Sequence, residues 1–418
     1  MRLSLPYGDK EMEVEFEKRM KVEILEPRYV EKIADLKEEV YIALNQLVGL
    51  ENIDFFRGAK NVCLVVSDHT RPIPSGDIAE AILDRLEEVG VDSSNVTILV
   101  GGGLHRVNED AVRLILGRRV LERVGNLVFH NAEDEGNLVY LGRTRRGTPI
   151  WLNKKFVEAE RKIVTGAVSP HQIMGFTGGA KGVAVGVAGY KTIECTHSYL
   201  KSPNARLGML EGNPAREEVD EIGERAKIDL LVNVVLNHRN EPVKVFAGHW
   251  FRAYRKAVEF ARNIFEVKVS QRADLVLASP GGYPRDVDVY QSQKALAAAE
   301  IIVKKGGVII LVAECREDIG NPVFESVMRS FETPEEIVEY FMRTPFRMGV
   351  HKAYMWARAL LKSRVILVSQ NINSDIARVL KVELANSLSD ALEIAYEHIF
   401  PEKIVALPYG STVIPKIG

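Results

Sequence analysis

The sequence predicts an α/β fold in two domains, each a mostly parallel sheet flanked by helices. Three observations lead there. A chain of 418 residues, 46% of them hydrophobic, exceeds what one compact core usually holds. Short runs of Val, Ile and Leu recur without alternation, as strands covered on both faces require. Helical periodicity fills the intervals between many of these runs.

The apolar runs fall at 62–66, 96–100, 163–168, 230–235, 275–278, 308–312 and 365–368. After the first of them, Ser75 reads as an N-cap, Ile78, Ile82, Leu83, Leu86 and Val89 share a helical face, and Gly90 closes the helix as a C′ glycine. A second helix begins near Tyr290 and runs through Gln291, Lys294, Leu296 and Ile301 to Gly306. The charged stretch 266–274 marks the boundary, giving an N-terminal domain over 1–270 and a C-terminal domain over 271–404. The tail, 405–418, holds one more short strand expected to pack back on the first domain. Neither a repeat of 20 to 50 residues nor a low-complexity segment interrupts this order.

Charge excludes several classes of partner. With 55 basic against 57 acidic side chains and a formal charge of -2, no overall field draws the chain to nucleic acid or acidic lipid. Charged residues crowd 9–21, so no secretory signal is expected there, and no stretch approaches the roughly 18 apolar residues that span a bilayer. The expected location is cytoplasmic. Cys63, Cys195 and Cys315 are scattered and odd in number, which argues against a disulfide framework or a thiolate metal cage and for small buried hydrophobes.

Ligands of open α/β sheets bind beyond the carboxyl ends of strands, and here those positions are rich in chemistry. Ser67-Asp68-His69-Thr70-Arg71-Pro72 follows the first run, Gly101-Gly102-Gly103-Leu104-His105-Arg106 the second, Ser169-Pro170-His171 the third, and Ser279-Pro280-Gly281-Gly282-Tyr283-Pro284-Arg285-Asp286 a later one. Ordinary turns account for glycine, proline, aspartate and serine, but they do not also require histidine and arginine. His105 and His171 each follow a strand end and, as a pair on opposite faces of one substrate, suit the inversion of a stereocentre. The lone His130, His238, His249 and His398 read as structural. Arg71 offers a fork for a carboxylate, whereas Lys294 is a point charge that shares one helical face with Tyr290 and Gln291. Together they predict a small anionic substrate.

The segment 171–197 contains Gly178-Gly179-Ala180-Lys181-Gly182, in which Gly178 and Gly179 let backbone amides approach a phosphate and Lys181 can neutralise or covalently hold a ligand. It is a near miss to a P-loop: Ala180 stands where glycine precedes the lysine, and Gly182 where Ser or Thr binds magnesium. His171 and His197 lie too far apart for a helical metal pair. Two alternatives stay open on these residues, a nucleotide-dependent kinase or ligase using the Lys181 loop and a noncatalytic binder of small carboxylates.

Taken in order, Ser67-Asp68-His69-Thr70-Arg71-Pro72, Gly103-Leu104-His105-Arg106, Ser169-Pro170-His171, Gly178-Gly179-Ala180-Lys181, Thr196-His197-Ser198 and Tyr290-Gln291-Ser292-Gln293-Lys294-Ala295 resemble the nickel-dependent lactate racemase family, the 2-hydroxyacid racemases and epimerases, over nearly the whole chain. The resemblance implies two α/β domains with the active site in the cleft between them. It also implies a nickel-pincer nucleotide, a pyridinium mononucleotide with thioamide and thiocarboxylate arms, made by partner cofactor-synthesis enzymes. Lys181 would form the thioamide tether and His197 would complete the planar nickel set. His105 and His171 would be the paired acid-base groups: one takes the hydroxyl proton while the C2 hydride moves to the cofactor, and the planar 2-keto acid takes hydride back on its other face. Arg71 and Lys294 would orient the substrate carboxylate, with Tyr290 and Gln291 lining the pocket and Asp68 supporting the site. Gly178 and Gly179 remain candidates for the phosphate on glycine chemistry. This chain departs from the family at Val185-Gly186, where members commonly have Pro-Gly, and at His351, where lactate-specific members place a tryptophan. The second departure argues for a larger or more polar 2-hydroxy acid than lactate.

Overall fold

The computed structural model describes residues 1–17 and 20–418. The chain forms two compact units, one of residues 29–264 and one of residues 1–28 with 265–418.

The 29–264 unit is built on a six-stranded sheet in the order Pro242–Gly248, Leu230–Leu236, Arg161–Val168, Val62–Ser67, Val96–Gly101, Asn126–Phe129. Its pairings are parallel except at the Pro242–Gly248 edge. The apolar runs form these strands because helices cover both faces: Leu64, Val66, Ile98, Val232 and Val234 pack in one core with Ile78, Ile82 and Leu86. From Val62–Ser67 the chain winds outward to Asn126–Phe129, then reverses to Arg161–Val168 on the other side. In such a sheet the crevice beyond the carboxyl ends of those two central strands is the place for a ligand. Asp68 follows one of them and His171 the other.

The helix after the first strand spans Ser75–Glu88. Its N-cap is Pro74, not Ser75 as the sequence suggested, since the Pro74 carbonyl already accepts from the Ile78 amide. Gly90 closes the helix at φ +84, as expected of a C′ glycine.

The other unit carries a wholly parallel sheet in the order Glu383–Ala385, Arg364–Val368, Val303–Val312, Ala273–Ala278, Ile404–Leu407, Val22–Ile24. This corrects the expected division of the chain. The first 28 residues belong here, because Val22–Ile24 completes the ladder along Ile404–Leu407 and Leu3, Leu5 and Tyr7 join a core with Leu277, Val308 and Ile310. The tail also stays in this unit and holds two strands rather than one: Ile404–Leu407 lies in the sheet, and Ile414–Ile417 pairs with Glu266–Val269. The charged stretch taken as a boundary therefore begins with a strand of its own. Helix Val289–Ile302 is N-capped by Asp288 and ends before Gly306, because Val303 already starts the next strand.

Cys63 and Cys315 are buried and Cys195 is half-buried. Among the described residues, no helix is long and apolar enough to cross a membrane.

Candidate active site

At the end of Val62–Ser67 the Asp68 carboxylate, 3% exposed, accepts from the Thr70 amide at 2.9 Å and the Thr70 hydroxyl at 2.5 Å through Oδ1. Its Oδ2 lies 3.4 Å from Nδ1 of His105. The pairing of Ser67 with Gly101 brings the His105 loop to this carboxylate. That loop leans on Val185-Gly186: the Gly103 amide donates to the Gly186 carbonyl at 3.0 Å, and a Cβ on Gly103 would meet the Val185 carbonyl oxygen at 3.1 Å. Burial alone would raise the Asp68 pKa, but the hydrogen bonds with His105 and Thr70 and the charge of Arg71 hold it below the usual carboxylate range.

Lys181 opens the short helix Lys181–Ala184, and the glycines before it are locked rather than open. Gly178 and Gly179 take φ of +85 and +60. The Gly179 amide donates to Oδ1 of Asn233 at 2.8 Å, while Nδ2 of Asn233 donates to the Gly166 carbonyl at 3.1 Å. The Gly178 carbonyl accepts from Nη1 of Arg216 at 3.2 Å. A Cβ on Gly179 would sit 2.7 Å from the Tyr254 ring. These glycines serve close packing, and the Gly179 amide is spent on Asn233 rather than offered to a phosphate. Asn233 and Arg216 were not singled out in the sequence, although an asparagine inside an apolar run was a visible signal.

The Lys181 amine is pushed down to about 7, first by loss of hydration and then by the charges of Arg71 and Arg216, against a smaller opposing pull from Asp68. His197 sits near the end of helix Tyr190–Ser198, buried, and is pushed down to about 4 by burial and then by Lys181. Nδ1 of His197 lies 2.8 Å from the Ile193 carbonyl oxygen. A carbonyl only accepts, so Nδ1 carries the proton and Nε2 the lone pair. Among the described residues, no group of three or more His, Cys, Asp or Glu is placed to hold a metal ion.

His171 lies in the two-residue strand Pro170–His171 of a hairpin with Gly175–Phe176. Its Nδ1 accepts from the amides of Ile173 at 3.2 Å and Met174 at 3.1 Å.

Tyr290, Gln291 and Lys294 belong to the other unit, on helix Val289–Ile302. Asp288 caps its start by accepting from the Gln291 amide at 2.6 Å, and the Lys294 ammonium donates to Oε1 of Gln291 at 2.9 Å. Sequence reasoning missed Lys352 here. Its Nζ donates to Oε1 of buried Gln293 at 2.7 Å and lies 5.3 Å from the Tyr290 ring centroid. Burial, and then the charge of Lys294, lower its pKa well below the usual lysine value. The His351 ring meets Tyr290 edge-on with centroids 6.5 Å apart.

Residues 7–208 match the lactate racemase N-terminal domain and residues 268–415 the lactate racemase C-terminal domain. The lactate racemase of Thermoanaerobacterium thermosaccharolyticum is 30% identical over 422 residues, covering 99% of this chain and 98% of its own. That of Lactiplantibacillus plantarum is 32% identical over 397 residues, covering 93% and 92%. The structure of the Thermoanaerobacterium thermosaccharolyticum lactate racemase apoprotein superposes with a TM-score of 0.94 at 30% identity over 100% of both chains. A crystal structure of a Thermotoga maritima protein, 19% identical with a TM-score of 0.68, covers 93% of this chain and 100% of its own and shares the fold. Fold and relatives together define an enzyme of the isomerase class, a racemase. The chain belongs to the lactate racemase family.

Proposed function

We propose that this racemase inverts C2 of a small anionic 2-hydroxy acid, larger or more polar than lactate, using a nickel-pincer nucleotide tethered to Lys181 and supplied by cofactor-synthesis enzymes. The observation that carries the reading is the burial of Lys181 and His197 beside one another, to which the charges of Arg71 and Arg216 add at Lys181. It holds Lys181 partly as a neutral amine near pH 7 and His197 as a neutral imidazole with its lone pair on Nε2. A neutral amine is what amide-type bond formation needs, and a neutral imidazole oriented by a backbone carbonyl is what a metal needs. The residues present therefore fit the group.

When bound, the cofactor would supply the hydride-accepting and hydride-donating chemistry at C2. The chain supplies the rest. His105 and His171 exchange the hydroxyl proton at their ring nitrogens, and Asp68 orients His105 and offsets the charge it gains. Arg71 grips the substrate carboxylate, and Lys294, Gln291 and Tyr290 are the substrate-binding groups of helix Val289–Ile302. His351 and Lys352, beside Tyr290, support a polar substituent beyond C2.

The protein produced together with the cofactor-synthesis enzymes tests this. Intact mass and metal analysis should give an adduct on the Lys181 peptide and bound nickel, and chiral 2-hydroxy acids and sugar acids should racemise with retention of a C2 deuterium label. An unmodified Lys181 peptide in protein that nevertheless racemises these acids would overturn the tether. Loss of the label to solvent would overturn hydride transfer.

A further inference from the structure

We propose that the two histidines rest in opposite tautomers, and that Asn213 is the residue that sets one of them. The proposal rests on the acid-base pairing above. A backbone amide can only donate, so the two amides on Nδ1 of His171 require a lone pair there, and the neutral ring carries its proton on Nε2. His105 is the reverse. Its Nδ1 faces Oδ2 of Asp68 at 3.4 Å and Oγ1 of Thr70 at 3.5 Å, and the Thr70 hydroxyl hydrogen is already given to Oδ1 of Asp68. Both atoms act as acceptors toward His105, so Nδ1 holds the proton and Nε2 the lone pair. In the resting protein His105 offers a lone pair at Nε2, and His171 offers an N–H.

The His171 state is built into the hairpin. The Met174 amide shares a peptide plane with the Ile173 carbonyl, and that carbonyl accepts from Nδ2 of Asn213 at 2.8 Å. The same Nδ2 donates to the Met209 carbonyl at 2.9 Å, so the plane is fixed and its N–H points at His171. Gly175 closes the turn at φ +72, where a Cβ would come 2.0 Å from the Met209 carbonyl oxygen. Asn213 is fully buried, and its Oδ1 separately caps helix Pro214–Ala226 at the amides of Ala215 and Arg216. Before His171 can accept a proton at Nε2, it must move its own proton to Nδ1 and give up both amide bonds. Asn213 resists that change and is thus a positioning residue for His171.

The test reads the imidazole nitrogens of the cofactor-free protein, labelled with ¹⁵N-histidine, in long-range proton–nitrogen correlation spectra assigned with His105→Gln and His171→Gln. The expected result is an unprotonated Nδ1 and protonated Nε2 for His171, with the opposite pattern for His105. Asn213→Ser keeps an oxygen able to cap the helix but removes the amide donor. It should shift the His171 nitrogens toward a mixture of tautomers and leave those of His105 in place. A parent His171 with its proton on Nδ1, or an Asn213→Ser spectrum identical to the parent's at His171, overturns the inference. The acid-base reading fails separately: it is lost if cofactor-loaded His171→Gln racemises at the parent rate, whatever the tautomers.

Discussion

The guanidinium carbon of Arg216 lies 4.1 Å from the centroid of the Tyr254 ring, with the peptide of Gly178 and Gly179 packed beside both. Arg216 is 1% exposed. It donates from Nε to Asp220 at 3.0 Å and from Nη1 to the Gly178 carbonyl at 3.2 Å, so one buried cation supports the loop that presents Lys181 and also charges its surroundings.

Replacing Arg216 with Leu should therefore act twice. The buried Gly178 carbonyl and the half-buried Asp220 carboxylate lose their partner, which costs on the order of 2 kcal/mol, read as a lower denaturant midpoint. The Lys181 pKa should also rise toward the ordinary lysine value, because the charge of Arg216 is among the causes that lower it. Amine labelling of the Lys181 peptide as a function of pH measures this. A midpoint within experimental error of the parent would show that the Arg216 contacts do not support the loop.

Lys181 itself should make stability depend on pH in a definite direction. Its folded value of about 7 lies below the roughly 10.4 of an unfolded lysine. Between these values the unfolded chain binds a proton that the folded chain does not, so unfolding free energy rises with pH across that window. Below about 7 the full cost of the enclosed charge is present. Lys181→Met removes it, so the variant's gain over the parent should be largest on the acid side and shrink as pH climbs toward about 10. Urea midpoints of the cofactor-free proteins at several pH values decide this. A difference that does not vary with pH would mean Lys181 stays charged in the fold.

The sequence made the strand-end positions of the candidate residues readable for a physical reason. Unalternating apolar runs mark buried parallel strands, and the first polar residues after them must sit at the carboxyl ends, which located Asp68, His105 and His171. The supports were harder to read. Arg216 lies in a helix, where an arginine ordinarily faces solvent, and its burial depends on Tyr254 and Gly178 meeting it from other segments. The place of 1–28 was not legible either. Val22–Ile24 is only three residues long with Glu23 at its centre, and it is a strand only because Ile404–Leu407, at the far end of the chain, leaves a ladder to complete. Periodicity carries no information on such distant pairing. The glycine pair suggests a cradle because glycine permits close approach, but the groups that approach are Val168 and Asn233 at Gly178 and the Tyr254 ring at Gly179.

Asp68 offers the sharpest check on the proton chemistry. Its Oδ1 is satisfied by Thr70 and its Oδ2 faces His105, so Asp68→Asn preserves shape while removing the charge that steadies a protonated His105. The amide can also present its NH2 group to Nδ1, which favours the tautomer with the proton on Nε2 and removes the lone pair that takes the substrate proton. In the cofactor-loaded enzyme, turnover should fall by about 10²- to 10⁴-fold, the range of a lost acid-base contribution, with little change in KM. Adduct mass on Lys181 and bound nickel should match the parent, since Asp68 exerts only a minor pull on that amine. Full turnover in loaded Asp68→Asn would remove His105 from the proton path.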